Sequence, residues 1–361
     1  MLKRGDTGET ESTLMLENGT AVAEQSLPLA EVFPSQPRAW YLFGLAREVG
    51  SRPVSKELLG RRLVAFRTSF GRLAILDARC SHLRADLGNG CVVGDSVQCP
   101  YHHWRYGVDG RCVHIPAGGD IPAFARQRSY PVVERHGLVY FFNGPEPLYP
   151  LPFFAGTDPD DYVAAKPFGL KLRCPWWLVG ANACDMQHFL GAHDRRLVGP
   201  ARAQSIGPYA RQASALFAVV GTSWRDRLTR AAAGSEVEMS ITDYCGVLMF
   251  VTASFRRTRS YGMLTSIPLG RDAVLVRGVV FVKKSGNWPA RRLFDPVHLF
   301  VRRYFVKEFL RPDAELAVRG LSYNPHSLLA CDAEMSHYFQ WLATATTAAR
   351  SAQGDGDWAE C

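Results

Sequence analysis

Four residues in one short stretch carry the first recognisable chemistry: Cys80, His82, Cys99 and His102, within CSHLRADLGNGCVVGDSVQCPYH. They form a Cys-x-His pair and, after sixteen intervening residues, a Cys-x-x-His pair. Each pair offers one thiolate and one imidazole. A [2Fe–2S] centre of mixed ligation needs two thiolates on one iron and two imidazoles on the other, and these two pairs supply that set. A structural zinc site is the competing use of the same residue types, although zinc sites more often pair Cys with Cys and His with His. His103 adjoins the second pair, but the x-x spacing selects His102 and leaves His103 as a loop residue.

A second group lies in Asn182-x-x-Asp185-x-x-His188-x4-His193. The pattern predicts a helix over Leu178–Phe189. Residues five apart on a regular helix point about 140° away from each other, so an undistorted helix would not aim both histidines at one metal. Gly191 falls between them, where a helix end or distortion would swing His193 round. Asp185, three residues before His188, is placed to accept a hydrogen bond from that ring and so fix its tautomer. Two histidines and a carboxylate are the ligand set of a mononuclear non-haem Fe(II) oxygenase, with facial positions left open. Spacing does not name the carboxylate, and Glu308, Asp313, Glu315, Asp332 and Glu334 are the candidates. Asp313 follows Pro312 at a predicted helix start, where an acid also serves simply as a cap. Taken alone, two histidines in an apolar helix equally suit ordinary packed or surface positions. A one-electron centre and an O₂-activating centre in one chain nevertheless make a coherent pair.

The elements that must position these residues divide the chain in two. Arg62–Thr68 and Arg72–Ala78 read as strands around a Ser-Phe-Gly turn, and the second runs directly into Cys80. Further short strands and turns, ending in a strand pattern at Tyr130–Phe142, predict a small all-β domain over 38–147. Pro145, Pro147, Pro150 and Pro152 mark a boundary. Beyond it, strand patterns at Gly246–Ser254, Tyr261–Ile267 and Ala273–Val282 and helical patterns at Pro296–Phe309 and Asp332–Thr347 predict an α+β domain over 148–347. Residues 1–37 read as a mobile acidic leader and 348–361 as a frayed tail.

Composition excludes several classes. Of 361 residues, 47% are hydrophobic and 21% charged, which is ordinary for a globular protein. There is no run of about eighteen apolar residues to span a membrane and no signal-peptide segment, so a cytoplasmic location is expected. The cysteines outside the cluster pairs (Cys91, Cys112, Cys174, Cys184, Cys245, Cys331 and Cys361) are scattered and read as reduced thiols. The net charge of +8 is rich in arginine, including Arg195, Arg196, Arg256, Arg257, Arg302 and Arg303. No nucleic-acid motif accompanies it, so a solvated basic face or a docking surface for an acidic redox partner is expected instead.

The paired motifs resemble the catalytic subunit of a Rieske non-haem iron oxygenase, over about residues 38 to 345. The resemblance implies an N-terminal all-β Rieske [2Fe–2S] domain followed by a helix-grip, START-like α+β catalytic domain. It implies that Cys80, His82, Cys99 and His102 hold the cluster, that His188 and His193 hold mononuclear Fe(II), and that Asn182 stands beside that iron. It also implies that the subunits form a homotrimer in which Asp185 bridges His102 of one chain to His188 of the next. The run Asp313…Asn324-Pro325-His326…Asp332-x-x-Met335…Tyr338-Phe339-Gln340-Trp341 is similar to the family's late pattern, which puts Asp313 first as the carboxylate ligand, ahead of Asp332 and Glu315. CSHLRADLGNG…QCPYHHWRYGVDGRCVHIP is most similar to the aminopyrrolnitrin oxygenase type, an arylamine N-oxygenase. Respiratory Rieske proteins are a poorer match, because they carry an additional disulfide-forming cysteine in each loop.

With no Rossmann glycine fingerprint in the chain, electrons from NAD(P)H would arrive through a separate flavin reductase or ferredoxin. O₂ and a small apolar or aromatic substrate complete the expected reaction, whether hydroxylation, N-oxidation, demethylation, desaturation or oxidative cyclisation. Trp176, Trp177, Phe189, Tyr244, Met249, Phe250 and Phe255 are candidate pocket residues, and equally candidate core. A Rieske electron carrier and a zinc-stabilised binding module are the non-oxygenase alternatives.

Overall fold

The computed structural model describes residues 27–351. Strand β1 (Trp40–Leu45) is followed by an antiparallel meander of β2 (Val54–Leu58), β3 (Arg61–Arg67) and β4 (Leu73–Asp77). A second meander of short strands comprises β5 (Cys91–Val93), β6 (Ser96–Gln98), β7 (Arg105–Gly107) and β8 (Cys112–His114). Strand β9 (Ser129–Tyr130) joins β4, while β10 (Val132–Arg135) and β11 (Leu138–Phe142) fold back onto β1. The strand expected across Tyr130–Phe142 is therefore a hairpin. Its turn is His136-Gly137, both at positive φ, the backbone sense that matches strand twist in a two-residue connection.

Every residue of LVYFF in β11 is buried because both faces of its sheet are covered. Tyr41, Phe43, Val139 and Phe141 face one core with Leu63, Ile75 and Trp176. Trp40, Leu42, Leu138, Tyr140 and Phe142 face another with Leu248, Phe250, Met263 and Phe281 from the second half of the chain. Arg277 Nη1 adds hydrogen bonds to the carbonyls of Leu42 (3.0 Å) and Phe43 (3.1 Å). The three-stranded sheet thus welds the two halves together.

The second half opens with β12 (Tyr162–Ala164) and β13 (Phe168–Leu172), then α1 (Trp177–Asn182) and α2 (Met186–His193). It continues through β14 (Arg195–Leu197), β15 (Arg202–Gly207), β16 (Ala210–Val219), α3 (Trp224–Ala232) and β17 (Glu236–Tyr244). Then come β18 (Leu248–Phe255), β19 (Arg259–Pro268) and β20 (Val274–Lys283), and finally α4 (Trp288–Phe309), α5 (Arg311–Val318) and α6 (Ala333–Ser351). The strands form a 9-stranded sheet whose main path runs β12-β20-β19-β18-β17-β16-β14. Helix α4 lies against it through Leu299, Val306 and the residue just past its end, Leu310, which meet Ala165, Phe168 and Val280.

Three expectations are corrected here. The helix predicted over Leu178–Phe189 is two short helices, broken at 183–185. Helix α4 begins at Trp288, not Pro296: the Asn287 side chain accepts from the Ala290 amide at 3.1 Å, and Pro296 lies inside the helix. The leader does not extend to residue 37 as a free segment. Phe33 is buried and stacks on Trp177 at 4.8 Å, and the Pro34 carbonyl accepts from Trp176 Nε1 at 2.9 Å. Residues 1–26 and 352–361, where the rest of the leader and most of the tail were expected, lie outside the described residues. Among the described residues no helix is long and apolar enough to cross a membrane.

Candidate metal centres

The two Cys/His loops leave β4 and β6 and fold in the same way. In the first, the Cys80 amide donates to the Ala85 carbonyl and the Arg84 amide to that of Cys80, both at 2.9 Å. In the second, the Cys99 amide donates to the Trp104 carbonyl at 2.8 Å. Each loop turns through a left-handed residue, Arg84 at φ 59° and His103 at φ 56°. Cys80 and Cys99 are buried, whereas His82 and His102 are exposed with their rings 4.6 Å apart. Burial raises the Cys80 thiol, and the adjacent Cys99 adds to the effect, because two thiolates resist ionising side by side. The Tyr106 hydroxyl lies 3.1 Å from Cys80 Sγ and 2.9 Å from Ser81 Oγ. Trp104 stacks on His82 at 4.6 Å with an interplanar angle of 3°.

This arrangement fits a [2Fe–2S] group: an inner pair of sulfur donors, and an outer pair of imidazoles that find no hydrogen-bond partner among the described residues. Trp104 and Tyr106 were not singled out from the sequence. WRYG follows the second pair directly, so proximity was the available signal.

The second group converges more tightly. His188 Nε2 lies 2.7 Å from Asp313 Oδ1, and His193 Nε2 lies 3.2 Å from the same oxygen. The two Nε2 atoms are 3.0 Å apart. The donor atoms of these three residues all fall within 4.8 Å of one another, which is the 2-His-1-carboxylate set. Burial pushes the Asp313 carboxyl up, but hydrogen bonds from His188 and His193 outweigh it and hold the group at about 2. Asn182 Nδ2 stands 3.3 Å from His188 Nε2 and 3.4 Å from Asp313 Oδ1.

Gly191 does not end the helix. Helix α2 runs on to His193 and stops at Asp194, a left-handed cap. His193 is the last residue of the helix, beside the left-handed Asp194, and its Nε2 still reaches within 3.0 Å of His188 Nε2 despite the unfavourable spacing. Phe309 then stacks on His193 at 4.1 Å.

The carboxylate of Asp185 does not bond the His188 ring within its own chain. Its Oδ1 caps α2, accepting from the amides of Gln187 (3.0 Å) and His188 (3.1 Å). The His188 Nδ1 atom is buried and unpartnered among the described residues.

The other candidate carboxylates are occupied elsewhere. Glu315 pairs with Arg311, and Glu334 with Arg211. Asp332 accepts from the Leu329 amide and Gln187 Nε2, and Glu308 pairs with Arg225.

The triad sits in the wall of a cavity of about 740 Å³, bounded by the sheet face that carries Met239, Ile241, Met249 and Val251 and by α1, α2, α4 and α5. Of the candidate pocket residues, Phe189, Met249 and Phe255 line it, whereas Trp176, Trp177, Tyr244 and Phe250 belong to the cores. Arg195, expected on a solvated face, is buried and donates to Asp226 Oδ1 at 2.9 Å and to the His193 carbonyl at 2.9 Å. Behind α1, buried Asp243 accepts from the Tyr338 hydroxyl and the Gly246 amide, both at 2.7 Å, yet burial raises its carboxyl to about 6. Cys184, also buried there, is pushed up to about 12.

The chain contains a Rieske [2Fe–2S] domain: residues 39–125 match that family's model. It is 39% identical over 165 residues to aminopyrrolnitrin oxygenase of Pseudomonas fluorescens, covering 43% of this chain and 45% of that protein. It is 35% identical over 163 residues to the oxygenase component of a 3-ketosteroid-9-alpha-monooxygenase from Rhodococcus rhodochrous, covering 43% and 42% respectively. These matches span less than half of each curated relative. The crystal structure of dicamba monooxygenase bound to dicamba matches with a TM-score of 0.65 over 88% of this chain and 99% of that one, at 20% identity, which shows a shared fold.

Proposed function

We propose that this chain is the oxygenase component of a Rieske non-haem iron oxygenase, acting on a small apolar or aromatic molecule. The carrying observation is the convergence of His188, His193 and Asp313 on the wall of an apolar cavity, in a chain that also holds a Rieske domain. When bound, the cluster supplies single electrons and the mononuclear ferrous ion supplies O₂ activation. Cys80, His82, Cys99 and His102 would hold the first, and His188, His193 and Asp313 the second. Asn182 steadies the His188 ring and the Asp313 carboxylate, and Phe309 fixes the plane of His193. The apolar wall excludes water and orients the substrate, which decides the bond that reacts.

Electrons would come from NAD(P)H through a separate ferredoxin or flavin reductase. The exposed His82/His102 edge, flanked by exposed Leu83, Tyr101 and Phe124, supports transfer between molecules over transfer through a sealed interior. In a homotrimer, His102 of a neighbouring copy would meet Asp185, whose Oδ1 is committed to the helix cap while no described residue bonds Oδ2.

Purified protein tests the reading directly. Cluster iron plus one further iron per chain, with substrate-dependent O₂ uptake given a surrogate reductase, is the expected result. Cluster iron alone would indicate an electron carrier, and a colourless zinc protein would overturn both.

A further inference from the structure

We infer that the cavity takes an uncharged, largely apolar molecule of drug size and discriminates against carboxylates, because each arginine in its wall is already bound to a carboxylate of the same wall. The inference deepens the oxygenase reading and rests on it for treating this cavity as the substrate site.

Size comes first. A volume of about 740 Å³ lies in the upper part of the range of roughly 300–1,000 Å³ typical of drug-sized ligand sites, and is generous for a single ring. The surface is hydrocarbon and thioether: Met239, Met249 and Met263 stand among Ile241, Val251 and Val279. Methionine adapts its shape and carries no charge, so this floor suits an extended apolar skeleton.

Charge decides the class. The cationic wall residues, apart from the metal-site histidines, are Arg195 and Arg225. Arg195 is charge-compensated: its Nη1 donates to Asp226 Oδ1, the His193 carbonyl and the Asp194 carbonyl. Asp226 is held in turn by Ser223 Oγ at 2.5 Å. Arg225, nearer solvent with a side chain 37% exposed, is bound by Glu308, itself 21% exposed. This second ion pair joins α3 to the end of α4 at the rim. Ser260, a wall hydroxyl, is taken by Arg302, which is not a wall residue. Asp185 and Asp194 add negative charge to the wall. Away from the three metal ligands, a substrate carboxylate would therefore shed its water without gaining an uncompensated cation, and unpaired burial of an ion is costly.

Glu308 is thus assigned as a specificity-determining residue: it cancels the rim cation that an acidic ligand would use. The test is calorimetric binding to the iron-loaded protein, without reductant, of two probes with one ring skeleton: androstenedione and the corresponding androstene carboxylic acid. Wild-type protein should bind the neutral steroid about tenfold or more tightly than the acid, the scale set by an unpaired charge. Glu308→Gln should keep the rim's shape while leaving Arg225 cationic, and so strengthen binding of the acid several-fold. The double variant Arg225→Ala/Glu308→Ala should return the wild-type preference, which a merely loosened rim would not do.

Equal or tighter binding of the acid by wild-type protein overturns the inference, as does failure of both probes to bind. An unchanged preference in Glu308→Gln removes Glu308 from its assigned role. Cluster absorbance and iron content, recorded on the same samples, report separately on the oxygenase reading, so the two can fail independently.

Discussion

The two candidate metal centres differ in how the chain builds them. The candidate cluster ligands lie within one stretch, Cys80 to His102, on two loops of a β-scaffold, with the sulfurs inside and the imidazoles facing out. The mononuclear site joins residues 125 positions apart, from α2 and α5, and hides them in a cavity wall. A local site can be recognised by spacing, because each short loop fixes its own geometry. A distant pairing becomes visible only when the whole sheet has set one helix against another.

The largest expected effect separates the centres outright. His188→Ala should abolish mononuclear iron and turnover while leaving the cluster spectrum intact, and Cys80→Ala should do the reverse to metal content. Iron analysis with visible spectroscopy reads both, and loss of both metals in either variant would mean that the sites are not independent.

Asp185→Asn comes next. Asparagine caps helices about as well as aspartate, so α2 and both metals should remain, whereas cluster-to-iron transfer should slow by about tenfold or more if the carboxylate is the bridge. Normal single-turnover rates would exclude that role.

A smaller effect concerns stability. Asp243 has a folded pKa of about 6, above its unfolded value near 3.9, so the native state holds the proton more tightly. Stability should therefore fall as pH rises from about 4 to 6, by roughly 3 kcal/mol at most, and Asp243→Asn should flatten that slope. Melting temperatures across the window decide it, and a wild-type protein that gains stability there would contradict the burial argument.

The smallest is Tyr106→Phe, which removes a hydroxyl beside Cys80 Sγ. A donor to sulfur favours the more negative, reduced cluster, so the potential should drop by tens of millivolts. Redox titration measures it, and an unchanged value would leave that hydroxyl with Ser81 alone.

Much of this architecture was legible in the sequence. The Rieske half declared itself through Cys80-x-His82 and Cys99-x-x-His102 and through well-patterned strands. Asp313 stood out by resemblance, since its spacing from His188 says nothing. The strand at Ala210–Val219 is poorly marked because ARQASALFAV is rich in small residues with weak strand preference, whereas EVEMSITDY at Glu236–Tyr244 alternates polar and apolar residues and does carry a strand signal. The roles of Arg195, Glu308 and Phe309 were out of reach for a related reason. An arginine's partner is chosen by tertiary contact, and nothing local distinguishes a paired guanidinium from a solvated one.

The separation between His188 and Asp313 also orders events in time. A chain emerging from the ribosome completes Cys80 to His102 long before it reaches α5, and N-terminal units generally fold first. The cluster loops can thus be filled while the mononuclear site still lacks its carboxylate. Under the proposed function, iron–sulfur delivery can precede synthesis of the last ligand for the second metal.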